Sequence, residues 1–243
     1  MTHVSADRPL RAAAGAFVDY LDEWVGDLLP LPLASLISEA GGPEHVGIFC
    51  VDVINGFCHE GLLHSPRVRA IIQPIVGLFA AAYAAGIRNI VLANDSHDPA
   101  ASEFADYPPH CIRGTSEAEI VPELMALPFS SQYHVIGKNS IHSGIGTRLN
   151  EWLDSHPEMT HRIVVGDCTD LCTYQLAMHL KVRANAANRF DPVILPADCV
   201  DTYDIPVDVA IEEGIPAHPA EIFHGMFLYS MACNGIRVVS RID

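Results

Sequence analysis

Beyond about residue 45 the chain alternates short apolar runs with longer stretches of helical spacing. Residues 47–52 and 89–95 are nearly unbroken apolar runs, and each closes on a carboxylate, Asp52 or Asp95. Residues 133–137, 162–166, 192–196 and 236–240 are shorter runs of the same kind. Runs of this length, apolar on both faces, predict buried strands. Between them, residues 71–85, 146–155, the stretch opening at Cys172 and residues 219–233 predict helices, with Pro74 tolerated only because it falls near a first turn. Strands alternating with helices predict an α/β, three-layer fold: a mostly parallel six-stranded sheet with helices on both faces.

The first 45 residues differ. From Leu10 to Leu29, Phe17, Tyr20, Leu21, Trp24 and Val25 recur at loose helical spacing. This predicts an amphipathic helix packed on the domain or on a partner subunit, with a substrate lid as the second reading. Pro30 and Pro32 end it, and Gly41-Gly42-Pro43 marks the entry to the alternating region. The chain thus divides into a helical extension, 1–45, and an α/β domain, 46–243.

Composition narrows the possible partners. Hydrophobic residues make up 49% and charged residues 18%, enough to build a core. The formal charge is −16 and no Lys/Arg cluster stands out, which argues against nucleic acid and anionic membranes. The longest apolar stretch, 71–87, is broken by Gln73, Pro74, Gly77 and Gly86 and falls short of the roughly 20 residues of a membrane span. The first seven residues lack the basic and apolar regions of a signal peptide. Seven cysteines are an odd count, and Cys50, Cys199 and Cys233 sit in apolar runs, so packing is read there and a reducing cytoplasm is expected. A small-molecule substrate and a homo-oligomer complete these expectations.

In parallel sheets, ligands bind beyond the carboxyl ends of the strands. Asp52, Asp95, Lys138 and the turn before Cys172 all lie just past such ends and should face one crevice. A carboxylate capping the next element is the ordinary reading of each, but four reactive groups at four ends weaken it for the set. In Gly166-Asp167-Cys168-Thr169-Asp170-Leu171-Cys172 a strand breaks and runs into a helix. Free N–H groups and the helix dipole favour a thiolate there, which suits a nucleophile; the alternative is a small apolar residue packed in a first turn. Asp95 and His97, two apart in extended chain, point the same way, and Tyr107-Pro108-Pro109-His110 comes next. Carboxylate and imidazole together suit Zn²⁺, Mn²⁺ or Fe²⁺, whereas a solvated polar loop is the plain alternative.

Taken in order, Val51-Asp52-Val53-Ile54-Asn55-Gly56-Phe57-Cys58, Asp95-x-His97 with Tyr107 to Thr115, Gly137-Lys138, and Gly166 to Cys172 resemble the nicotinamidases of the isochorismatase-like cysteine hydrolases, nearest the plant-type branch. The resemblance covers residues 46–240 and leaves out the first 45. It implies an isochorismatase-like, Rossmann-like fold and a metal-dependent amidohydrolase that deamidates nicotinamide through a thioester. It implies a triad of Asp52, Lys138 and Cys172, an oxyanion hole from the N–H groups of Cys168 and Cys172, and a cis peptide at Asp167–Cys168. Its metal ligands fall on Asp95, His97 and His110; zinc is the expected metal, and Mn²⁺ or Fe²⁺ fit the same donors. Glu103 has the spacing of a further carboxylate ligand, although the loop between it and His97 is shorter than in members that carry one. Phe57 and Tyr107 fall where members place aromatic walls. Asp167-Cys168-Thr169 departs from the usual Val-Ala-Thr of that turn. Three alternatives remain at this point: an amidohydrolase of carbamoyl, ureido or other aromatic amide substrates, an isochorismatase-type reaction, and a non-catalytic binding relative. His142 is read as a solvated loop histidine, with pocket lining as the second reading.

Overall fold

The computed structural model describes residues 10–243; the expectation about a signal peptide rests on residues outside them. Helices α1 (Leu10–Gly26) and α2 (Leu33–Ala40) precede strand β1 (Val46–Val51), short helices α3 (Asn55–Cys58) and α4 (Pro66–Ala70), helix α5 (Ile72–Ala84) and strand β2 (Asn89–Asp95). Then come α6 (Pro122–Met125), β3 (His134–Lys138), α7 (Leu149–Ser155), β4 (His161–Asp167), α8 (Cys172–Ala186), β5 (Val193–Pro196), β6 (Val200–Asp201), α9 (Val207–Glu213), α10 (Ala220–Cys233) and β7 (Arg237–Val239). Among the described residues seven strands form one sheet, all pairs parallel, in the order β3-β2-β1-β4-β5-β7, with β6 also paired to β4.

Strand periodicity builds the two sides of this sheet. Ile48 and Cys50 of β1 enter a cluster with Ile72, Ile75 and Phe79 of α5, while Phe49 and Val51 enter another with Leu176 of α8 and Leu228 of α10. All six residues of β1 and all seven of β4 are buried, as central strands covered on both faces must be.

Three details depart from the pattern expected of the sequence. β6 adds a seventh strand, and its two residues are too few to carry a periodicity. It pairs with Gly166 and Asp167, the last residues of β4, beyond the point where β5 stops. The helix expected from residue 146 starts at Leu149, because Gly146 adopts φ 68°, which no helix continues. Pro66–Ala84 is, among the described residues, the one helical stretch long and apolar enough to cross a membrane, and Ile72, Ile75, Leu78, Phe79 and Ala82 of it are buried in this fold. Helix α1 packs on α10: the rings of Phe17, Tyr20 and Trp24 surround Tyr229 at 5.8, 5.7 and 5.2 Å.

Candidate active site

Backbone register brings the strand-end residues together. Asp95 and Lys138 are direct partners across β2 and β3. Asp52 follows β1 in the left-handed region, φ 57°, a conformation costing a non-glycine residue roughly 1 kcal/mol and so pointing to function. There it lies under β2, and its Oδ1 accepts the Asp95 N–H at 2.7 Å. Gly166, at φ +117°, lets β4 crowd β1: a Cβ on it would stand 1.9 Å from the Val51 carbonyl oxygen. The next peptide, Asp167–Cys168, is cis, and α8 opens on Cys172.

At this junction Lys138 Nζ lies 2.7 Å from Asp52 Oδ2, donates to Asp95 Oδ1 at 2.6 Å and reaches Cys172 Sγ at 3.6 Å. Oxygens of Asp52 and Asp95 and the sulfur of Cys172 lie within 4.8 Å of one another. Lys138 is 1% exposed and Asp52 0%, so their charges need each other. Burial lowers the Lys138 pKa, but Asp52, Asp95 and Cys172 more than reverse this and the amine is held well above its ordinary value. Burial, then the Asp95 charge, pushes Asp52 up to about 6 against the pull of Lys138. Burial also drives the Cys172 thiol well up; Lys138 opposes it, while Asp52 and Asp95 add to it. Cys172 does begin a helix, yet its burial raises the thiol pKa, and the Asp52 carboxylate stands beside it. The helix terminus is therefore opposed here by the burial of the sulfur.

The second set shares Asp95. His97 Nε2 comes within 3.3 Å of Asp95 Oδ1 and His110 Nε2 within 4.0 Å of Asp95 Oδ2. His97 N–H donates to Cys111 O and Arg113 N–H to His97 O, a reciprocal bridge that carries His110 to the end of β2. His110 Nδ1 donates to Pro108 O at 2.8 Å, which leaves Nε2 facing the cluster. His97 is 0% exposed, and neither of its ring nitrogens makes a hydrogen bond among the described residues. Buried imidazole nitrogens without partners are costly in a closed core and are what a metal ligand requires. The donor set Asp95, His97 and His110 therefore fits a divalent cation.

Glu103 stands apart from that group: its Oε2 accepts the Ile141 N–H at 3.2 Å. Phe104, which no motif in the sequence marks, packs edge-on against both His97 and His110, at 5.4 and 5.7 Å. A cavity of about 590 Å³ opens over both sets. Phe57, Tyr107, Asp95, His110, Cys168 and Cys172 lie on its inner side. Tyr203, Asp204, Ile205, Ile215 and Pro216 also line it, and they too carry no recognisable motif. The backbone N–H groups of Cys168 and Cys172 donate to no acceptor among the described residues. His142 is absent from the cavity lining and packs against His179 instead.

Residues 46–211 match the Isochorismatase domain family model. The chain belongs to the isochorismatase family. It is 32% identical to Nicotinamidase 1 of Arabidopsis thaliana over 213 residues, covering 82% of this chain and 86% of that protein. That relative bears out the resemblance to nicotinamidases, its plant side included, and makes the chain an enzyme of this hydrolase kind. The cysteine hydrolase of Pseudomonas syringae superposes with TM-score 0.69 at 21% identity, over 88% of this chain and 92% of that one. The pyrazinamidase of Pyrococcus horikoshii, solved with zinc, superposes with TM-score 0.62 at 21% identity, over 80% and 98%. These two share the α/β fold of this chain.

Proposed function

We propose that the chain hydrolyses the carboxamide of nicotinamide to nicotinate and ammonia through a thioester on Cys172. The observation that carries this is the convergence of Asp52, Lys138 and Cys172 beside the Asp95, His97 and His110 set, under one cavity that Asp95, His110 and Cys172 line. Asp52 takes the thiol proton, and the sulfur adds to the carbonyl carbon. The oxygen gains charge in front of the free N–H groups of Cys168 and Cys172, donors already in place. Lys138 balances the charge passing between Asp52 and the sulfur. Asp52 then gives the proton to nitrogen as the C–N bond breaks and ammonia leaves. Water, deprotonated by Asp52, adds to the thioester; the C–S bond breaks and the thiol regains its proton. Phe57 and Tyr107 would hold the ring. A divalent ion on Asp95, His97 and His110, zinc in our reading, would supply a Lewis acid to anchor the ring nitrogen and so orient the amide. Glu103 would act near that set through Ile141 rather than as a direct ligand. Seven free thiols, Cys172 among them, suit a reducing cytoplasm.

Ammonia release from nicotinamide tests this directly. Release should fall on chelation and return with Zn²⁺ or Mn²⁺, and His110→Ala should lose bound metal by elemental analysis. No release with any added metal would overturn the nicotinamide reading, and unchanged metal content in His110→Ala would remove that ligand.

A further inference from the structure

The turn that carries the nucleophile is bound to the far wall of the cavity through one imidazole. Asp170 lies two residues from both Cys168 and Cys172, and its carboxylate is almost fully buried. Its Oδ1 accepts Thr202 Oγ1–H at 2.6 Å and its Oδ2 lies 2.9 Å from His218 Nε2. His218 Nδ1 donates to the Tyr203 carbonyl oxygen at 2.8 Å. The His218 ring is sandwiched between Tyr203, at 3.9 Å and 14°, and Phe223, at 4.0 Å and 20°. Its backbone exchanges two hydrogen bonds of 2.9 Å with Ile205. Thr169 adds a parallel tie: its N–H donates to Asp201 O at 3.0 Å and its Oγ1 meets His224 Nδ1 at 2.9 Å. Tyr203, Asp204 and Ile205 are cavity-lining residues, whereas Asp170 and His218 are not.

We propose that His218 is a positioning residue: with Asp170 it latches the Cys168–Cys172 turn to the Tyr203–Ile205 wall, so that the attacking sulfur, the two N–H donors and the ring-binding surface move as one body. This rests on the function proposed above. Among the described residues the turn has no strand pairing past Asp167, and beyond it one backbone bond, Thr169 N–H to Asp201 O, ties it to the neighbouring segment, so side chains supply the rest. A displacement of about 1 Å at a nucleophile is enough to cost roughly 10²-fold in rate. Loss of the Asp170 carboxylate frees the turn but leaves His218 on Tyr203, so it acts on kcat. Loss of the imidazole frees both sides, so it acts on kcat and KM.

The experiment measures kcat and KM for ammonia release, and the iodoacetamide alkylation rate of the Cys172 peptide, in Asp170→Ala, Asp170→Asn, His218→Ala and the double Asp170→Ala/His218→Ala variant. Asp170→Ala should lose about 10²-fold in kcat with KM within about threefold, and His218→Ala should lose as much while raising KM. The double variant should be no slower than the worse single one, since one latch is lost once. Asp170→Asn should recover most of the rate, because an amide can accept from Thr202 and donate to Nε2. Multiplying losses in the double variant, or folded His218→Ala within twofold of wild type, would overturn the proposal. Should His218→Ala not fold, equal and wild-type kcat in Asp170→Ala and Asp170→Asn would do so. Alkylation needs no amide: it should slow severalfold in both alanine variants and recover in Asp170→Asn. It therefore reads the latch even when wild-type protein releases no ammonia from nicotinamide, a result that would sink the proposed function alone.

Discussion

The two sides of the cavity are built by different means. On the inner side, Asp52, Asp95 and Lys138 take their places from the ends of neighbouring strands, and hydrogen-bond register sets their spacing. On the outer side, Tyr203 and Ile205 lie in an irregular segment held by the Asp170, His218 and Thr202 side chains and by ring stacking. A register is fixed by many backbone bonds and shifts only by whole residues. A side-chain network can be loosened one group at a time. The two carboxylates and the lysine sit on the first kind of support, whereas the turn of the nucleophile and the ring-binding wall lean on the second.

Changes to the inner side should therefore be severe. Asp52→Asn keeps the shape but removes the proton acceptor, and kcat should fall by roughly 10²–10⁴-fold with little change in the unfolding midpoint. Gly166→Ala attacks the support instead. Its methyl would meet the Val51 carbonyl in a conformation that favours glycine, so stability should drop by about 3 kcal/mol in denaturant titration. An unfolding midpoint equal to wild type would mean that the close approach of β4 and β1 is not required. On the outer side, Ile205→Ala should raise KM about tenfold with kcat preserved, the scale of one lost apolar contact. A kcat loss as large as that of Asp52→Asn would break the contrast between the two sides.

The smallest effect belongs to a residue away from both. Burial first, then the charges of His142 and Arg183, lowers His179 from its ordinary value to about 4. The folded state thus prefers the neutral ring, and the unfolded chain takes up its proton at higher pH. Stability from this site is complete above pH about 6.5 and is lost as pH falls toward 4. His179→Gln should flatten that part of the stability-versus-pH curve and leave neutral pH unchanged. An identical acid limb in the two proteins would show that His179 does not contribute to it.

The same division decides what could be read in the sequence. Buried strands announce themselves as apolar runs, and a polar residue that ends such a run is conspicuous, so Asp52, Asp95 and Lys138 could be placed on one crevice before any coordinates. The order of strands, the extra strand Val200–Asp201 and the wall from Tyr203 to Pro216 could not, because they depend on partners far apart in the chain. Phe104 shows the limit well: its neighbourhood reads as polar loop, and only the fold sets its ring against His97 and His110. The electrostatics of Cys172 were also hidden. A helix start argues for a lowered thiol pKa, and only the fold shows the burial of the sulfur, and then the nearby charges of Asp52 and Asp95, that push it up.

The most direct test of the account is ammonia release by Cys172→Ala, measured together with nicotinamide binding. The account predicts that release falls by about 10⁴-fold or more while nicotinamide still binds and bound metal is unchanged. Turnover near the wild-type rate would contradict it, because the reaction would then proceed without the sulfur that is held to carry the thioester.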